Sequence, residues 1–151
     1  MGSKASSLVD KAKKWATHYG EFTSGDAGAA LTAPLRVRGA WESNDANVLA
    51  DAFTENGSML VGDEQLKGRE EIRAYWTDAF ANYYKGSRIE DDPDEIVFFD
   101  ENTALVISKG GVLKEGETAV PVDRENRNTW VVVREQGDWK LFSYQSSPIK
   151  G

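Results

Sequence analysis

The chain has 151 residues, no cysteine and a formal net charge of −7. A chain of that length folds as one domain with a sizeable core. The missing cysteines exclude disulfides, thiolate nucleophiles and cysteine-ligated metals. The acidic balance argues against a nucleic-acid partner and against an anionic membrane surface. No apolar run reaches the length of a membrane span or a signal-peptide core, so a cytoplasmic location is the expectation.

In chain order, Ser6 or Ser7 caps a first helix to about Tyr19, with Leu8, Ala12, Trp15, Ala16 and Tyr19 at helical spacing. It reads as an extension packed on the domain, over residues 1–25, with a lid or a partner-binding helix as the functional alternative. His18, the only histidine, lies within it. Asp26 caps a second helix ending near Asn44, in which Pro34 either makes a kink or sits in the first turn. Asp45 caps a short helix through Phe53. Glu55-Asn56-Gly57 turns the chain into a short strand, Ser58 to Val61, and Gly62 to Glu64 turns it again. A third long helix runs from Lys67 to about Tyr83 with Ile72, Tyr75, Trp76, Ala79, Phe80 and Tyr83 as its stripe. Strands follow at Ser87–Phe99 and Thr103–Leu113. Pro93 implies an edge, a bulge or a break. Asp91, Asp92, Asp94 and Glu95 match no calcium loop in their spacing and read as a solvated loop or edge. Glu115 to Arg124 is a loop long enough to serve as a pocket lid.

The last stretch, Asn128 to Ser146, reads as a hairpin about Gln136-Gly137. Simple alternation gives it two faces. One carries Trp130, Val132, Trp139 and Leu141; the other carries Thr129, Val131, Phe142, Tyr144 and Ser146. Both hold large apolar groups, so one cover is expected from the chain's own helices and the other from a second subunit.

Helices first and then a largely antiparallel sheet is an α+β order. The segments AWESNDANVLADAFTENGSML, KGREEIRAYW and TWVVVREQGDWKLFSYQSSP, in that order, resemble the SnoaL-like branch of the nuclear transport factor two-like superfamily, and within it the SgcJ/EcaC-type group. The resemblance spans roughly residues 26–149. It implies a cone: a curved antiparallel sheet wrapped around a long helix, with a pocket inside, commonly in a homodimer. It also implies natural-product biosynthesis of the polyketide or enediyne type.

In the family register, Val37, Trp41, Phe53, Val61, Trp76 and Phe80 would aim at the pocket. Thr129, Val131, Phe142, Tyr144 and Ser146 would lie on the concave side. Trp130, Val132, Trp139 and Leu141 would then be convex and form the dimer face. A slip of one residue in the turn would exchange the faces. The ketosteroid isomerases of the superfamily place a general-base aspartate where this chain has Val61 and an oxyanion-stabilising tyrosine where it has Val37. Neither valine can move a proton.

No metal cluster, phosphate loop or nucleophile–histidine pair is visible in the matched region, and no cofactor is expected. The polar candidates are Thr129, Tyr144, Ser146, Arg127, Asp63 and Glu125. Tyr144 would donate to a ligand carbonyl or be a satisfied core tyrosine. Arg127 would clamp a carboxylate or enolate, or pair with Glu125 or another acid. Two functions stand: a protein that holds an apolar small molecule, or an accessory cyclase, isomerase or hydratase of a polyketide-derived intermediate.

Overall fold

The computed structural model describes residues 25–149. The expected N-terminal helix and His18 lie outside the described residues. Helix α1 (Gly25–Ala30) and helix α2 (Thr32–Glu42) replace the single helix expected from Asp26 to Asn44. Pro34 explains the break. It has no N–H to offer the Ala30 carbonyl, and the ladder resumes with Leu35 N–H donating to Leu31 O at 3.1 Å. Asn44, with φ of 52°, stops α2 in the left-handed region. Its side chain donates to the carbonyls of Trp41 and Ser87, which ties the helix end to the sheet.

Asp45 accepts from the N–H groups of Asn47 and Val48 and so caps α3 (Ala46–Asp51), as its position predicts. Strand β1 (Phe53–Val61) begins earlier than the sequence suggests. The expected turn at Glu55–Gly57 is a shift in strand pairing between Phe53 and Ser58. A Cβ at Gly57 would sit 3.1 Å from the Leu141 carbonyl oxygen, so the strands close on each other there. Strand β2 (Glu64–Lys67), where the sequence suggests the end of a turn at Glu64 and the start of a helix at Lys67, pairs antiparallel with β1. Helix α4 (Arg69–Ala81) buries Ile72, Trp76, Ala79 and Phe80, whereas Tyr83 lies beyond its end and is 80% exposed. Strands β3 (Arg88–Asp100), β4 (Thr103–Leu113), β5 (Asn126–Glu135) and β6 (Asp138–Pro148) follow.

The result is an α+β fold with one curved six-stranded sheet, in the order β2-β1-β6-β5-β4-β3. It is not wholly antiparallel: β1 pairs with β6 in parallel. Strand β3 is an edge, where a proline is tolerated, and the pairing shifts just after Pro93. The helices cover one face of the sheet and bury Trp76, Trp130, Phe53, Leu49 and Leu141 to under 2% exposure.

The β5–β6 hairpin corrects the face assignment. Gln136 and Gly137 both have positive φ, as a tight two-residue turn requires. Val132 pairs with Leu141, but Val131 pairs with Ser143. Phe142 is therefore an extra residue, a β-bulge, and alternation restarts beyond it. Trp130, Val132, Trp139 and Leu141 lie on the helix-covered face and are buried at 0–3% exposure. They are core and not the convex dimer face. Thr129 and Val131 lie on the outer face, and Phe142 is 43% exposed. Tyr144 pairs with Trp130 and Ser146 with Asn128, so both lie inside, two and four strand positions beyond the bulge.

Candidate functional site

The covered face of the sheet and the helices above it enclose a cavity of about 240 Å³. Trp41 from α2 and Trp76 from α4 form one side, with ring centroids 4.5 Å apart. Tyr84 packs edge-on against Trp41 at 5.8 Å, and Met59, Val61 and Val112 complete the apolar wall. Both indole donors are already used: Trp41 Nε1 donates to Ser87 Oγ at 2.8 Å and Trp76 Nε1 lies 3.2 Å from Met59 Sδ. The polar side chains on the wall are Tyr84, Asn126, Tyr144 and Ser146. No charged side chain lines this cavity. A larger cleft of about 580 Å³ adjoins it and shares Tyr84, Val112, Asn126 and Pro148 with it. The loop after β4 forms part of that outer cleft through Glu115, Asp123 and Arg124.

Of the residues expected at the pocket, Trp41, Val61, Trp76, Tyr144 and Ser146 line the inner cavity. Val37 and Phe53 are fully buried core, at 1% and 0% exposure. Phe80 packs behind Trp76 at 5.0 Å and borders a separate shallow depression. Thr129, Val131 and Phe142 are on the outer side. Arg127 pairs with an acid, as one reading expected, but with Asp94 at 3.3 Å and not with Glu125, which pairs with Lys109 at 3.5 Å. Asp63 is exposed in the β1–β2 turn.

Behind Tyr144 lies a buried polar belt that sequence reasoning missed. Asp91 of β3 had been read as part of a solvated acidic run; it is 1% exposed. Its Oδ1 accepts from Ser108 Oγ of β4 at 2.6 Å and from Asn128 Nδ2 of β5 at 2.7 Å. Its Oδ2 is buried without a hydrogen-bond partner. Trp130 Nε1 donates to Ser108 Oγ at 2.9 Å, and Tyr144 Oη lies 3.4 Å from Asn128 Oδ1. From α2, the buried Arg38 donates to the Asp91 carbonyl at 2.8 Å and pairs with Glu90 at 3.5 Å. Burial pushes the Asp91 carboxyl up to about 7, against the bonds from Ser108 and Asn128 and the charge of Arg38. Burial, with the nearby Asp91 charge, also raises Tyr144 well above the usual tyrosine range, so its phenol stays neutral. The available signal was period-two: Ser108 and Asn128 stand in register with buried apolar neighbours on their strands. Among the described residues no group of three His, Asp or Glu side chains is placed to hold a metal.

A profile of the SnoaL-like domain matches residues 35–150. The chain belongs to the SnoaL-like domain family. Solved structures place this SnoaL-like chain among proteins of cystatin-like fold. A domain of unknown function from Nostoc punctiforme is 25% identical, with 82% of this chain and 76% of that one covered at a TM-score of 0.74. An NTF2-like protein from Novosphingobium aromaticivorans is 21% identical, with 83% of each chain covered and a TM-score of 0.71. A ketosteroid isomerase-like protein from Erwinia carotovora atroseptica is 15% identical, with 82% and 96% covered and a TM-score of 0.65. The last two likenesses carry the fold alone. No curated protein matches the chain.

Proposed function

We propose that this SnoaL-like protein holds a largely apolar small molecule in the inner cavity, in natural-product biosynthesis of the polyketide or enediyne type. One observation carries the reading: a wall of tryptophan, tyrosine, methionine and valine with four polar side chains and no charged one. Such a site gains affinity from buried apolar area and orientation from a few hydrogen bonds. The three sequence segments resembling the SgcJ/EcaC-type group support the pathway. Titration with 2-naphthol should quench or shift the fluorescence of Trp41 and Trp76. Val61→Phe, which fills the cavity from its wall, should weaken binding, while Phe142→Ala, on the outer side, should not. Equal losses from both variants, or no binding at all, would overturn the reading. Mass spectrometry of the protein as purified would identify a retained ligand.

The enzymatic alternative, turnover of a polyketide-derived intermediate, is favoured by Asp91, a carboxyl titrating near neutrality one amide behind Tyr144. Turnover of a candidate intermediate, lost in Asp91→Asn, would establish it. We also propose a cytoplasmic homodimer, formed through the outer sheet face, which carries other residues than those first expected there. That face carries Val97, Leu105, Ile107, Val131 and Val133, with Val97 37% exposed. No helix among the described residues is long and apolar enough to cross a membrane.

A further inference from the structure

The belt behind the pocket fixes the direction of every hydrogen bond in it. Trp130 Nε1 can only donate, and it meets Ser108 Oγ at 2.9 Å. The Ser108 proton is then free to go to Asp91 Oδ1, 2.6 Å away. Asn128 faces the same carboxylate oxygen at 2.7 Å, so its nitrogen must point there; the reversed amide would set oxygen against oxygen. A proton on Asp91 would occupy Oδ2, the oxygen without a partner, and would leave Oδ1 an acceptor. In either state Asn128 Oδ1 is turned toward Tyr144. Asn128 is 4% exposed, and among the described residues only Tyr144 donates to that oxygen, at 3.4 Å. If Tyr144 gave its single hydrogen to a ligand instead, a buried acceptor would lose its one donor, which is the costly outcome.

Tyr144 Oη, which also accepts from Ser146, therefore offers the cavity a lone pair, the reverse of the role expected from the sequence, donation to a ligand carbonyl. We propose that the cavity selects apolar ligands that carry a hydroxyl or N–H donor, received by Tyr144 as acceptor, over ligands that offer it only an ether or carbonyl oxygen. The proposal rests on the reading of this cavity as a ligand site. It deepens that reading by naming the ligand class: hydroxylated or N–H-bearing apolar molecules. Asn126 remains on the wall for the ligand's other polar groups, while Ser146 hydrogen-bonds to Tyr144.

The test is isothermal titration calorimetry of the full chain with three probes of one skeleton: naphthalene, 2-naphthol and 2-methoxynaphthalene. The unaltered protein should bind 2-naphthol about three- to tenfold more tightly than its methyl ether, the margin of one hydrogen bond. Tyr144→Phe should erase that margin while leaving naphthalene binding unchanged. Should this variant not fold, the comparison of the two probes on the unaltered protein still decides the matter. Equal affinity for naphthol and ether, or tighter binding of the ether, would overturn the proposal and leave the apolar cavity standing. No binding by any of the three would overturn both.

Discussion

Replacing Asp91 by Asn tests the buried belt through the pH dependence of folding. Asparagine keeps the Oδ1 acceptor for Ser108 and Asn128 and removes the ionisation. In the unfolded chain Asp91 loses its proton near 3.8, but in the folded chain not until about 7. Between these values the native state holds a proton that the unfolded state has released, so native stability falls as pH rises and levels off above the folded value. At 1.36 kcal/mol per pH unit the full loss is about 4 kcal/mol, of which about 2.5 kcal/mol falls between pH 5 and pH 8. Other carboxylates titrate too, so the quantity to measure is the difference between the two proteins. Urea denaturation at pH 5, 6, 7 and 8 should show Asp91→Asn gaining about 2.5 kcal/mol on the parent across that range. A difference that stays constant with pH would show that Asp91 titrates at an ordinary value and would remove the argument for its desolvation.

The other predictions separate the two sheet faces and probe the backbone. Leu141→Ala should cost about 2–5 kcal/mol in chemical denaturation, independent of protein concentration, because Leu141 is core. Val131→Arg, on the outer face, should leave a folded monomer in light scattering where the parent is a dimer; a parent already monomeric at micromolar concentration would remove the dimer. Asp45→Ala should cost about 1 kcal/mol through loss of the α3 cap, read as a lowered melting temperature. Gly110→Ala should fail to fold or fold distorted by circular dichroism, since its Cβ would lie 1.8 Å from the Glu90 carbonyl oxygen. A ketosteroid isomerisation assay should show no activity, because Val61 and Val37 offer no proton-transferring group.

Elements set by local chemistry were legible in the sequence. The Asp45 cap, the Gln136-Gly137 turn and the bounds of β4 needed only neighbouring residues. The SnoaL-like family and its curved-sheet fold followed from three long segments. The inner cavity was legible where the helices carry it, at Trp41 and Trp76, because helical spacing fixes which way they point. The sheet was not legible in the same way. The bulge at Phe142 is a property of how β6 pairs with β5, and no local composition announces it; strict alternation therefore exchanged the faces on β5 and on β6 up to the bulge. The Asp91 belt joins four strands across up to 53 residues of sequence, and a carboxylate beside Asp92 and Asp94 looks solvated until the partners Ser108 and Asn128 are in place. Pro34 split a helix whose apolar spacing ran through it.

The bulge also bears on which kinds of genetic change can reshape this protein. A substitution at Tyr144 or Ser146 alters one group while its place stays inside. Deleting the single codon for Phe142 would leave every other residue as it is, yet restore strict alternation along β6. Tyr144 and Ser146 would keep their inward places, because Ser143 would follow Leu141 directly and stay opposite Val131. The bulge thus absorbs one residue of chain length, so a relative lacking it would present the same inward groups to a ligand where the flanking residues are identical.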